Sequence, residues 1–455
     1  MFTRRAFVAG ALATTVAGCG ASRSVPSSAR RVIVVGAGLA GLGAASALRE
    51  AEIEPVVLEA RARVGGRVAV TTELGPPVDL GAAWIHDPDG NPLTEIAQDA
   101  GLATAPTDYD RVALRRANGR AVTGDELDTA YDAYESVTGA LASAAEEEDP
   151  NLRVAPVLAG ARSETAVAGV PRAAVDWMFG NAIPLDYAAD ASELSVLGFD
   201  EGETYDGGDD LLLRDSAFAL VRRLARGVMV RRSTPVARVE RSASGAAVVT
   251  REGSRIRADG VVVTVPLGVL QAGAVAFDPP LPAPARRAIE RLGFGTLEKV
   301  LLRYPEPWWP EDQTQLGTVG GPIGRTISAS DLLPVTEAPI LAAFVGASYA
   351  RRLAQQGERA MAAAVTERLA AGFGPAARDP DAVVTTRWSR DPWTRGAYSF
   401  LRPGSTSEDR AALGARAGRL ILAGEHTSVE RPSTMDGAWR SGRAAGREMA
   451  SALGV

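Results

Sequence analysis

The sequence predicts an α/β fold, a Rossmann-like dinucleotide-binding domain carrying an inserted α+β domain. Two observations point there. Near the start, an apolar, β-branched strand at 31–35 runs straight into a glycine-rich turn, an alanine-rich helix and a second strand that ends on an acid. One such βαβ unit cannot enclose a dinucleotide, and segments at 234–239, 260–265 and 420–427 read as strands and turns that return to it. Between them lie a helical stretch from Glu126 to Ala144 and strands around 299–303 and 340–345, which the inserted domain would use. At 455 residues, the chain is long enough for about two to three domains.

The N-terminal 29 residues read as an export signal and tether. Thr3-Arg4-Arg5-Ala6-Phe7-Val8 resembles a twin-arginine signal, and the apolar run from Ala6 to Gly18 is too short to span a bilayer. That pathway carries folded proteins, often with cofactors loaded. Val16-Ala17-Gly18-Cys19 resembles a bacterial lipoprotein cleavage box, so the expected partners are the twin-arginine machinery and a lipid anchor at Cys19. The expected location is extracytoplasmic. Cys19 is the only cysteine, which leaves the mature chain no intramolecular disulfide and no thiolate metal site. With 46% hydrophobic and 23% charged residues and a net charge of −6, nothing points to nucleic acid.

Arg31-Val32-Ile33-Val34-Val35 reads as a buried parallel strand. In Gly36-Ala37-Gly38-Leu39-Ala40-Gly41, Gly36 permits the tight turn, Gly38 admits a pyrophosphate, and Gly41 allows close helix–strand packing. The helix that opens at Leu39 and Ala40 offers N–H groups and the positive end of its dipole to phosphates. A second strand, Pro55-Val56-Val57-Leu58, ends at Glu59, 18 residues beyond Gly41. Its carboxylate would accept from both ribose hydroxyls and repel a 2′-phosphate.

The next residues, Glu59-Ala60-Arg61-Ala62-Arg63-Val64-Gly65-Gly66-Arg67, select the cofactor. This run resembles a signature of the flavin amine oxidase superfamily, which binds FAD on a glutathione-reductase-like fold. The resemblance implies that Glu59, Ala60, Arg61, Gly66 and Arg67 meet the ribose and diphosphate, where arginine binds in a bidentate manner. It continues through Asp79-Leu80-Gly81-Ala82-Ala83-Trp84-Ile85-His86, which would bring Ala83 and Trp84 to the flavin and His86 to the substrate amine. Asp87 stands where glycine is usual in that pattern. Thr234–Val239 reads as a strand leading into a hairpin, through Gly245 and Gly253, to Gly260–Val265, and the family's adenine contact falls on the Val236 backbone. The C-terminal Ala423-Gly424-Glu425-His426-Thr427 and Pro432-Ser433-Thr434-Met435 resemble the same enzymes. Gly424, Glu425, Thr434 and Met435 would meet the flavin, and His426 would be structural.

Lys299 is the only lysine among 49 basic residues, in a chain that uses arginine everywhere else. An ammonium can lose its proton when desolvated, whereas a guanidinium effectively cannot. Its setting, Leu292 to Val300, resembles the segment in which flavin amine oxidases hold a water against the flavin N5. Trp388 to Ser399 resembles the stretch that carries a flavin-contacting Trp393 and an aromatic wall for the amine, here Tyr398. Ala397 fills the position of the flavin-linking cysteine of monoamine oxidases, so the FAD should be non-covalent. Thr434, where those enzymes place a second tyrosine, favours polyamine oxidases and lysine-specific histone demethylases. An exported bacterial protein meets no histones, so polyamines are expected.

The segments 30–105, 205–290 and 385–455 are thus expected to hold FAD, and 106–204 and 291–384 the substrate. The distal ammonium groups call for carboxylates, and Asp200 to Asp206 is one acidic run that could supply them. The resemblance implies hydride transfer from the amine's α-carbon to flavin N5, with Lys299, Tyr398 and His86 at the reacting centre. The imine would hydrolyse to an aldehyde and O2 would take the electrons as peroxide. An L-amino-acid oxidase, a flavoenzyme for a larger apolar molecule and a non-catalytic polyamine-binding lipoprotein remain alternatives. No metal site is expected.

Overall fold

The computed structural model describes residues 30–199, 201–203, 205, 207–321 and 325–455. The export signal and Cys19 lie outside the described residues, as do Asp200, Thr204 and Asp206 of the acidic run.

A five-stranded parallel sheet forms the centre. In chain order its parts are β1 (Val32–Val35), helix α1 (Leu39–Glu50), β2 (Val56–Leu58), β3 (Val230–Arg231), β4 (Gly260–Val263), β5 (Leu420–Leu422) and helix α2 (Met435–Ala452). The strand order is β5-β4-β1-β2-β3 with every pair parallel. The period-2 geometry of a strand explains why β1 is apolar throughout. Val32 and Val34 pack with Ala44, Leu48 and Met449 on the side of α1 and α2. Ile33 and Val35 pack with Val239 and Val248 on the other side. The two helices cross so closely that a Cβ on Gly442 would sit 1.9 Å from the Ala40 carbonyl oxygen.

The second face is covered by a four-stranded sheet, and here the expected hairpin is corrected. Val236–Arg241 pairs with Ala246–Thr250, which pairs with Arg255–Ala258, while Gly260–Val263 joins the parallel sheet instead. Gly260 to Val263 is buried at every residue, so it needs cover on both faces, which an outer hairpin cannot give.

The segments expected to be inserted build two further layers. A six-stranded sheet contains the antiparallel neighbours Leu297–Arg303 and Ile340–Gly346, with Lys299 opposite Phe344. Over it lie the helices Gly124–Ala145, Val154–Glu164 and Gly169–Asp186, which share a core around Val137, Leu141, Val175 and Phe179. The first is fixed at its start by a capping box between Thr123 and Glu126, which explains the helical stretch the sequence predicts there. No described helix is long and apolar enough to cross a membrane.

Candidate active site

One cavity of about 810 Å3 runs from the glycine-rich turn to the inserted layers. At its first end, Gly36, Gly38, Leu39 and Ala40 form the wall. Helix α1 has neither a side-chain cap nor an acid in its first turn, so its leading N–H groups are left for an anion. Gly41 stands behind that wall, not on it. A Cβ there would lie 1.9 Å from the Gly36 carbonyl oxygen, so this glycine serves the packing of turn against helix.

Glu59 and Ala60 line the cavity beside that turn. The buried Glu59 carboxylate accepts from the N–H of Ala37 at 2.8 Å and of Arg61 at 2.8 Å, which locks the turn to the strand end. Arg61 Nη1 donates to Asp391 at 2.7 Å, while its Nη2 is buried with no partner in the protein. A buried guanidinium nitrogen so placed lacks an acceptor that a diphosphate would supply. Gly66 and Arg67 follow on the wall, and Arg67 Nη1 donates to Glu425 at 2.8 Å and to the Ala397 carbonyl at 2.7 Å. Burial would raise the Glu425 carboxyl, but the Arg67 guanidinium and the Ser399 hydroxyl hold it down to about 2. The uncapped helix and the orphaned Arg61 nitrogen make this end fit the diphosphate of FAD.

Val236, Trp393, Gly424, Thr434 and Met435 complete the same end. Thr434 is the N-cap of α2 and accepts from Gly437 N–H at 3.0 Å, so the helix starts at the cavity wall. His426 does not line the cavity. It is buried and held down to about 4 by burial, hence neutral, and both ring nitrogens lack partners.

Where the layers meet, Ala83, Trp84, Lys299, His86 and Tyr398 share the wall. Lys299 Nζ donates to the Gly81 carbonyl at 2.6 Å and the Asp79 carbonyl at 3.3 Å, below the rings of Trp84 (5.1 Å) and Phe344 (5.7 Å). Burial pushes this ammonium down to about 8. Tyr398 donates to the Leu185 carbonyl, and burial drives its phenol well above 10. His86 Nδ1 lies 2.6 Å from Asp210, which also accepts from Tyr109 at 3.0 Å. Burial opposes charge on His86, but Asp210 outweighs it and the pKa lies above 6.5.

The far end was not anticipated. Helix Gly169–Asp186 presents Trp177 and Met178, Asn181 and Ala182, and Leu185 and Asp186 to the cavity, adjacent pairs four residues or about one turn apart. Tyr109, Tyr131 and Tyr134 line the same cavity. Asp210 lies just beyond the acidic run at 200–206, and two described members of that run have other partners. Glu201 pairs with the fully buried Arg410, and Tyr205 packs under Arg431 at 4.4 Å. Asp87 takes a left-handed conformation (φ 46°), which aspartate tolerates, and accepts from Arg431 at 2.7 Å. The only signal for Asp186 or Asp210 is an acid close to an aromatic or apolar segment, which is too common to single them out.

Residues 39–450 match the family described as flavin containing amine oxidoreductase. The chain is 28% identical to polyamine oxidase 4 of Oryza sativa subsp. japonica over 92% of its length and 88% of that protein. It is 32% identical to lysine-specific histone demethylase 1 homolog 1 of the same plant, over 90% of this chain and 51% of that one. Among solved structures, cyclohexylamine oxidase from Brevibacterium oxydans superposes with a TM-score of 0.76 at 25% identity, covering 94% of this chain and all (100%) of the other. Putrescine oxidase bound to putrescine shares the fold with a TM-score of 0.76 at 23% identity, over 93% and 99% of the two chains. FAD is therefore the cofactor, and the chain belongs to the flavin containing amine oxidoreductase family as an FAD-dependent amine oxidase.

Proposed function

We propose that this enzyme oxidises a di- or polyamine, and that the inserted layers select it through its second ammonium group. The observation that carries this reading is the pair of carboxylates, Asp186 and Asp210, on the cavity wall beyond His86. The charge of Asp186 bears on His86, Tyr109 and Tyr398 alike, so the two acids serve one end of the cavity. Asp210 lies against His86 and Asp186 on the neighbouring helix, so two acidic side chains stand where a second ammonium would come. Aromatic walls from Tyr109, Tyr131 and Tyr134 offer further faces to an ammonium or its methylene chain.

FAD, when bound, supplies the two-electron acceptor. The chain's residues do the rest. Arg61, Arg67 and the α1 terminus hold the diphosphate, and Tyr398, fixed to the Leu185 carbonyl, walls the amine's passage. Lys299 has three N–H groups as an ammonium and two of them are taken by carbonyls, so the third can hold a water at the reacting end. The products would be an imine, hydrolysed to an aldehyde, and peroxide from O2.

The arginines on the cavity wall are Arg61, Arg67 and Arg251, all at the FAD end. Among the described residues none lines the far end, which disfavours an amino-acid oxidase that must clamp a carboxylate. The test is anaerobic mixing of FAD-loaded protein with spermine, spermidine, putrescine and L-amino acids while following flavin absorbance. Bleaching by the polyamines supports the reading, and bleaching by amino acids alone overturns it. We also propose that the first 29 residues export the enzyme, with Cys19 as its lipid anchor.

A further inference from the structure

We propose that Asp79 is a positioning residue which, across a water-sized chamber, sets whether Lys299 presents a hydrogen-bond donor or an acceptor to the main cavity. The inference rests on the FAD-dependent amine oxidase assignment and not on the choice of substrate.

Ala83, Trp84 and Lys299 line two spaces at once, the large cavity and a second chamber of about 20 Å3. A water needs roughly 10–15 Å3, so the chamber has room for about one. Its polar lining comes from Asp79, Ser216, Thr336, Arg214 and Lys299 itself, set among Leu212, Leu332, Val335 and Ala342. Asp79 is buried, and its carboxylate accepts from the Ser216 hydroxyl at 2.6 Å and from Ala217 N–H at 3.0 Å. Two donors besides any water thus face this one acid, and the lysine acts on it through its charge.

Lys299 is held by two groups that can only accept, the carbonyls of Gly81 and Asp79. Two of its hydrogens are therefore committed in either protonation state. The remaining position is an N–H in the ammonium and a lone pair in the amine. One proton thus reverses the polarity of what the side chain offers, and a water held there must turn with it. Burial favours the amine, and the charge that opposes it is Asp79. Around the chamber Arg214 is the other charged group, its Nη1 donating to the Pro334 carbonyl at 2.6 Å. Glu298, next along the strand, is committed to Thr386, Trp388 and Ser389. Burial pushes the Asp79 carboxyl up, and Lys299 and Ser216 work against that rise.

The chain has a single lysine, so lysine carrying 13C at Cε gives one signal in the FAD-loaded protein. Its titration reads Lys299 directly, with no substrate present. Asp79→Asn keeps the shape and removes the charge, and the midpoint should fall by one pH unit or more, with the pH profile of amine oxidation moving alongside. An unchanged midpoint overturns the proposal, and so does a shifted midpoint with a stationary profile. In the native protein the same signal should show a second, smaller inflection, displaced upward from the ordinary carboxylate value, as Asp79 takes its proton. Absence of that inflection also overturns it, which keeps the test intact should Asp79→Asn fail to fold. Failure of the polyamine reading would move neither signal.

Discussion

At the end assigned to FAD, the cavity wall is built on a glycine turn, the starts of α1 and α2, and strand ends, while at the amine end it is built on rings and acids. Charges at the first end are already committed in pairs, such as Arg67 with Glu425 and Arg61 with Asp391. The second is made of rings and acids projected from helix Gly169–Asp186 and from loops around Tyr109 and Asp210. Backbone recognition constrains sequence tightly because few residues permit it, whereas a wall of side chains can be built in many ways. The difference predicts that changes at the first end remove the cofactor, and that changes at the second alter only which amine reacts.

Arg67→Ala should have the largest effect. It leaves Glu425, 3% exposed, as a buried unpaired carboxylate, a loss of about 3–5 kcal/mol. Thermal unfolding and FAD content after purification check this, and a stable, fully loaded variant would break the contrast. The same pair predicts acid sensitivity. Glu425 is held near 2, against 4.5 for its ordinary value, so its stabilisation is complete above about 4.5 and is lost as pH falls toward 2. In Glu425→Gln that limb of the unfolding curve should flatten.

Asp186→Asn should leave FAD content unchanged and lower kcat/KM for diamines about 10- to 100-fold, as expected for a charged contact of about 1.5–3 kcal/mol. Equal losses for monoamines would place Asp186 outside the amine's path. The smallest effect belongs to His86. Because Asp210 holds its pKa above 6.5, the ring loses its positive charge only as pH rises through that higher value. Diamine affinity should then improve a few-fold across the transition, and His86→Gln should abolish the step.

How far the sequence could be read follows the same division. Glu59 is marked by its spacing from the glycine turn, Arg61 and Arg67 by a run that resembles the family's signature, and Lys299 by standing alone in an arginine-rich chain. A motif does not say which of its glycines faces outward, and Gly41 packs against the Gly36 carbonyl behind the cavity wall. The path of Gly260–Val263 into the parallel sheet was missed because turns at Gly245 and Gly253 look alike whether they close one hairpin or two. Asp186 and Asp210 were missed for a different reason. The folding of distant segments brings them to one cavity, Asp210 against His86 and Asp186 at the end of helix Gly169–Asp186, and no local pattern records that. The acidic run near 201 drew attention by local density, yet Glu201 neutralises a buried arginine.

The claim that the amine end selects by a second charge is tested most directly by the native enzyme. Flavin reduction would be followed anaerobically with an α,ω-diamine and with the monoamine of equal chain length. The account predicts that the diamine reduces the flavin at least about tenfold more efficiently, as one charged contact implies. Equal efficiencies would contradict it and leave Asp186 and Asp210 as structural acids.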